Sequence, residues 1–350
     1  MKEQDQIFAV YGPSKSGTTW LQSILDSHPE VRCHFQLQLF PFLKETGVVA
    51  VRSKAVMSQF SSPFKSVFKD KKAEQEYWVR LRYFQALRPT LLKMVEELKA
   101  RFPKPEDQEY LQELIRETYR AIAPHFLEDD PEAKISGFKS TTDLEFFLDV
   151  FPNAKVITIL RDGRDVATSK RFHMQKRGAY YLGDEKHKWF YWLNSILPIR
   201  IAISKLRRRF GWFGKKHFHT YTNDNMQFSK AALEKFSSDW ALTTQYIMRY
   251  KEKYPAHFHV IRYEELKANP QKYIAALLEF IGVSADEETI QEILQATDFS
   301  KMKGDDKQGF FRKGITGDWA NYFSEKDKAI FKSCTGSLLV DLGYEKDNNW

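Results

Sequence analysis

The sequence predicts an α/β fold, a central and mostly parallel sheet flanked by helices, with a helical insertion. Two observations carry this. Short apolar runs at 7–11 (IFAVY), 156–160 (VITIL) and 259–263 (HVIRY) each read as a buried strand and lead into a segment of helical periodicity. Between about 70 and 130 the pattern changes to apolar residues at three- and four-residue spacing amid many charges. Repeated strand-then-helix units place ligands at the carboxyl ends of the strands.

The first run ends at a glycine, and after a loop Trp20, Leu21, Ile24 and Leu25 fall at helical spacing until His28-Pro29 closes the helix. In the insertion, Leu91, Val95 and Leu98, then Leu111, Leu114, Ile115 and Tyr119, mark two or three amphipathic helices joined by RFPKPED at 101–107. This block covers the sheet or walls a pocket, and it lacks linker-like flanks, so 1–350 reads as one domain. The second strand runs directly into RDGRDVATS and another helix.

Residues from about 186 to 225 are basic and aromatic together, including KLRRRFGWFGKKHFHTY; they read as a solvated helix end and a glycine-hinged loop. After the third strand, Pro270 suits a first helical turn, and Ile274, Leu277, Leu278 and Ile281 form a buried stripe. Ser284 with Glu287 spells a capping box for a helix through about Ala296.

Composition bounds the partners. Hydrophobic residues make up 42% of 350, enough for a large core, and 15% aromatics argue against disorder. The net charge of +8 fits an anionic ligand but is too small to imply nucleic acid. Two distant cysteines, Cys33 and Cys334, build neither a disulfide framework nor a zinc pattern, which fits a reducing compartment. The opening MKEQDQ has no apolar signal region, and no run of about eighteen apolar residues follows, so a soluble, cytoplasmic protein without membrane contact is expected. Oligomeric state is left open.

The chemistry concentrates in YGPSKSGTTW at 11–20. It nearly spells a triphosphate loop, but that pattern needs a lysine directly after the second glycine. Thr18 stands there instead, and the lysine is Lys15, inside the loop. Glycines that let the backbone turn tightly, and amides opening onto a helix N-terminus, still make an anion site. A lysine inside the loop reaches a group attached beyond the first phosphate and neutralises charge on a leaving oxygen.

KSGTTWL resembles the 5′-phosphosulfate loop of the sulfotransferases that use 3′-phosphoadenosine 5′-phosphosulfate (PAPS) and yield adenosine 3′,5′-bisphosphate (PAP). The resemblance implies a P-loop-like nucleotide-binding fold. It implies that Lys15 contacts the bridging oxygen, that Ser16, Gly17, Thr18 and Thr19 hold the 5′-phosphate, and that Trp20 packs near the adenine. A second motif is similar to the family's 3′-phosphate grip: Arg161 at a strand end, with Ser169 eight positions on. A strand-end arginine supplies a fork of donors and a hydroxyl in the first turn of the next helix adds another; taken alone, though, RDGRD reads as a locally salt-bridged turn.

A third segment, FFRKGITGDWANYF at 310–323, is similar to the family's closing segment, which implies that Arg312, Lys313 and Gly314 bind the 3′-phosphate. ATDFSKMK upstream implies nucleotide contacts by Thr297 and Phe299, and IRYEEL implies one by Tyr263. The matches run in family order from 11 to 323.

The reaction implied is in-line sulfuryl transfer to a small-molecule hydroxyl or amine, in which the protein positions groups and neutralises charge, with no metal required. Lys139 in GFKSTTD resembles a second lysine that stabilises the transferred group; the plainer reading is a surface lysine beside a strand. The family's base positions are occupied by Thr141, Phe138 and Gln36, none a useful base, which leaves His34, Asp143 and His173, with His34 preferred because histidine titrates near neutrality. Two rival readings are a P-loop kinase of nucleoside or adenylylsulfate type and a non-enzymatic polyanion-binding protein using the basic stretch.

Overall fold

The three apolar runs lie side by side in the computed structural model. It describes residues 7–34, 89–90, 92–102, seven positions between 109 and 120, 133–139, 144–176, 228–298, 302 and 314–350. β1 (Ile7–Tyr11), β4 (Lys155–Leu160) and β5 (Phe258–Arg262) are joined by β2 (Val31–His34) and β3 (Ile135–Lys139) in a sheet of order β2-β3-β1-β4-β5. Every pairing is parallel. The carboxyl ends therefore share one edge, and the loop after β1 opens at the middle of it.

Helices cover both faces. They are α1 (Thr18–Asp26), α2 (Leu144–Val150), α3 (Gly163–Lys176), α4 (Lys230–Lys253), α5 (Tyr263–Ala268), α6 (Pro270–Ile281), α7 (Glu287–Ala296), α8 (Glu325–Thr335) and α9 (Leu338–Asp341), with a 3₁₀ turn at Asp318–Asn321. Alternate residues of β1 divide between the faces, as a strand requires. Phe8 and Val10 pack with Leu21, Ile24 and the predicted stripe Ile274, Leu277, Leu278 and Ile281. Ile7 and Ala9 face the other way, into a cluster with Phe138, Phe147 and Tyr250 that also buries Val95 and Leu98. Residues 92–101 are helical, so this part of the charged insertion lies on the sheet. Among the described residues, no helix is long and apolar enough to cross a membrane.

Three local expectations need correction. The third strand ends at Arg262, and Tyr263 opens α5. α7 is capped by Asp286, whose carboxylate accepts from Thr289 N at 2.8 Å. Ser284 does not form a box with Glu287; its hydroxyl donates to Asp286 at 2.7 Å. The charged carboxylate of Asp286, immediately before the helix, outcompetes the serine two residues further back for the free amides. Ser169 sits seven residues into α3, in its second turn, because the helix begins early, at Gly163.

The last stretch of chain folds back onto the start of α3. Arg164, almost fully buried, lies between the rings of Trp319 and Trp350, 3.8 and 4.4 Å from their centroids. It also pairs with Asp162 at 2.7 Å and Glu345 at 2.5 Å. Two carboxylates and two aromatic faces compensate a charge that burial alone would make costly.

Candidate functional site

The loop between β1 and α1 is wound so that its amides face outward from the sheet edge. Lys15 has φ 75° and Gly17 has φ 106°, and such left-handed residues turn successive N–H groups toward one concavity. Ser16 is wholly buried and stiffens the turn: its hydroxyl and its amide both donate to Pro13 O, at 2.6 and 3.0 Å. The first bond of α1 runs from Leu21 N to Gly17 O, leaving the amides of Thr18, Thr19 and Trp20 without an intrahelical acceptor. No acidic residue occupies the first turn, so the positive end of the helix is uncompensated.

Gly17 is demanded twice over. A Cβ there would lie 2.8 Å from the Tyr263 ring, and the backbone angle disfavours any side chain. Gly17→Ala is expected to lower the melting temperature by several degrees and to weaken nucleotide binding more than tenfold, roughly the effect of 1–2 kcal/mol of backbone strain plus a displaced ring. Thermal melts with and without adenosine 3′,5′-bisphosphate measure both.

Lys139 ends β3, against α1. It is 9% exposed, and its Nζ donates to Thr19 Oγ1 at 3.1 Å. Burial lowers its pKa to about 8, with the Cys33 thiol acting weakly in the opposite sense. The reading of Lys139 as a surface lysine is thus overturned. β3 pairs β1 with Val10 opposite Lys139, which brings the lysine beside the phosphate loop.

Arg161 follows β4 and is 7% exposed. One terminal nitrogen donates to Ile315 O at 2.8 Å and to Asp165 Oδ2 at 3.4 Å, and the guanidinium lies 4.4 Å from the Tyr263 ring centroid. Its Nε is buried and has no hydrogen-bond partner among the described residues. A buried guanidinium donor without a protein acceptor can serve an anion. The local salt bridge read from RDGRD forms, and it leaves part of the fork available.

Tyr263 joins the halves of the site. Its hydroxyl donates to Gly314 O at 3.3 Å, and Lys267 Nζ donates to the same carbonyl. Its ring meets that of Trp20 edge-on at 5.6 Å, and Trp20 Nε1 donates to Thr297 O at 3.2 Å. A chain of contacts therefore runs from Lys139 through Thr19 and Trp20 to Tyr263, Arg161 and Gly314. Thr297 is buried, its hydroxyl bonded back to Ile293 O, so its carbonyl is the group that faces Trp20.

The remaining expected residues stand differently. Ser169 lies four residues beyond Asp165, on the same side of α3, and is buried. His173 is one turn further along that side. His34 ends β2 opposite Phe138, which puts its backbone at the carboxyl edge, one strand from the end of β3. Phe299, Arg312, Lys313, Asp143, the stretch at 186–225 and most of 70–130 lie outside the described residues. Lys267 and the Ile315 carbonyl went unnoticed as site components, and Asp165 was read only as a local partner in RDGRD; their long-range contacts leave no mark in a sequence.

The model of the sulfotransferase domain matches residues 4–343. The chain belongs to the sulfotransferase domain family. Among curated relatives it is similar to sulfotransferase 1A1 of Rattus norvegicus, 33% identical over 98 residues that span 24% of this chain and 34% of that one. It is also similar to sulfotransferase 1B1 of Mus musculus, 35% identical over 111 residues, 26% and 36% of the two chains. The matched segments thus cover about a third of those relatives. A solved structure of mouse sulfotransferase SULT7A1 complexed with PAP aligns with 97% of this chain and 86% of its own, at 18% identity and a TM-score of 0.46.

Proposed function

We propose that this sulfotransferase-family chain moves the sulfuryl group of PAPS to a hydroxyl or amine of a small-molecule acceptor, such as a secondary metabolite. The observation that carries the reading is the single contact network joining the phosphate loop, Lys139, Arg161 and Gly314. A nucleotide with phosphates at both ends of its ribose needs two separated anion sites with an aromatic wall between them. Trp20 and Tyr263 supply the wall, the α1 amides one anion site and the Arg161 Nε the other.

When bound, PAPS supplies an activated sulfuryl group and departs as adenosine 3′,5′-bisphosphate. The protein's residues do the rest by position and charge. The amides of Thr18 to Trp20 and the Thr18 and Thr19 hydroxyls hold the 5′-phosphate, with Ser16 and Gly17 shaping the turn. Lys15 stabilises the leaving oxygen, and Lys139, tethered to Thr19, balances charge on the transferred group. Arg161, Ser169, Arg312, Lys313 and Gly314 form the 3′-phosphate site, and Thr297 and Phe299 the adenine side. His34 is the proposed proton acceptor, on its place at the strand edge beside β3.

The lysine's depressed pKa has a consequence for binding. An anion beside Lys139 favours its charged form, so the complex holds a proton that the free protein releases above pH about 8. Affinity for adenosine 3′,5′-bisphosphate is expected to be flat below that pH and to fall up to about tenfold per unit above it. Calorimetry near pH 8 in buffers of different ionisation enthalpy should register proton uptake; its absence would remove Lys139 from the anion's surroundings.

The reading itself is tested by incubating the protein with PAPS carrying labelled sulfate and a panel of phenols, alcohols and amines, then weighing the products. Label on an acceptor supports it. Phosphate transfer from ATP without sulfate transfer would replace it with the kinase reading, which the residue after Gly17, Arg161 just after β4 and Arg262 at the end of β5 argue against.

A further inference from the structure

Two segments proposed to meet the 3′-phosphate come from distant parts of the chain, and one side chain ties them together. Asp165 lies in the first turn of α3 and is fully buried. Its Oδ2 accepts from Gly317 N at 2.8 Å and from Arg161 at 3.4 Å, and its Oδ1 accepts from Trp319 N at 3.0 Å. The amides it holds are 152 and 154 residues away in sequence. Arg161 repeats the link in the other direction by donating to Ile315 O. That terminal nitrogen is engaged twice, and among the described residues Nε has no partner. Ser169 lies one turn further along the same side of α3.

Building on the nucleotide reading above, we propose that Asp165 is the positioning residue for 3′-phosphate recognition. It aims the Arg161 fork and fixes the turn at 317–319, so that the segment entering that turn at Gly314 stands beside the arginine. The carboxylate itself stays off the anion, since its oxygens are taken by donors from both segments. Selectivity for a 3′-phosphorylated adenine nucleotide over one without that group then depends on Asp165, while the grip on the 5′-phosphate does not.

Asp165→Asn separates this role from general support. The amide keeps the shape but turns a donor toward an N–H group that needs an acceptor, and removes the charge facing Arg161. Calorimetry on the full chain with adenosine 3′,5′-bisphosphate and with adenosine 5′-phosphate gives the readout. The variant should lose at least about tenfold in affinity for the bisphosphate and stay within about twofold for the monophosphate. Equal losses for both nucleotides, or an unchanged ratio, would overturn the proposal.

If Asp165→Asn does not fold, Gly317→Ala carries the test. A Cβ there meets nothing within 4 Å, but φ of +74° is disfavoured, so the tether loosens from its other end. The same fall in the bisphosphate-to-monophosphate ratio is expected, and an unchanged ratio would again overturn the role. An unmodified protein that shows no preference for the bisphosphate would bring down the nucleotide reading itself, and Asp165's role with it.

Discussion

Lys139→Met is expected to stabilise the free protein and to abolish most of its turnover. The lysine's pKa in the folded chain, about 8, lies below the 10.5 of an exposed lysine. Unfolding thus takes up a proton between those values, and below pH 8 the folded state bears the full cost of a buried charge. Two and a half units correspond to roughly 3 kcal/mol, offset in part by the bond to Thr19. The cost is relieved as pH rises from 8 toward 10.5.

Methionine fills a similar volume without the charge, so a rise of a few degrees in Tm at pH 7 is expected, shrinking above pH 8. Turnover should fall about 10²- to 10³-fold through loss of a preorganised cation. A group held at such expense has a functional explanation when its removal stabilises and inactivates together. A variant that melts lower at pH 7 while keeping its turnover would identify Lys139 as a structural residue instead.

Arg161→Ala carries the second large effect, and it acts on binding and stability alike. Removing the guanidinium takes away the unused Nε donor, the bond to Ile315 O and the positive partner of Asp165. Burial already raises the Asp165 pKa, and Arg161 is the largest influence lowering it. Without Arg161 that carboxylate is left with two backbone amides, so its pKa should rise further and the variant should lose stability as pH rises above the ordinary aspartate value of 3.8. Affinity for adenosine 3′,5′-bisphosphate should drop by about 2–4 kcal/mol, roughly 30- to 1,000-fold. Calorimetry and melts across pH 5–8 measure the two losses. Near-normal affinity would show that the 3′-phosphate does not meet this strand end.

Much of this arrangement was legible in the sequence because its parts are local. The runs at β1 and β4 are apolar enough to be buried on both faces, the β-branched run at β5 marks a half-buried strand, and Asn269-Pro270 with the stripe at Ile274 to Ile281 marks α6 plainly. β2 and β3 escaped notice. VRCH and ISGFK are short and mix polar with apolar residues, and they become strands only by pairing with each other and with β1 across about a hundred residues. The same distance hid the site's inner logic. That Lys139 is buried, and that Asp165 bonds to Gly317 and Trp319, are tertiary facts which no spacing rule encodes. The arginine-aspartate spacing of RDGRD gave half of the answer, a local pair, and the fold used that pair as a clasp.

The proposed function requires two anion sites serving one nucleotide, and calorimetric titration of the unmodified protein addresses this most directly. Adenosine 3′,5′-bisphosphate should bind without metal, and about a hundredfold more tightly than either magnesium ATP or adenosine 5′-phosphate. Equal or tighter binding of magnesium ATP, or no heat and no thermal shift with the bisphosphate, would contradict it.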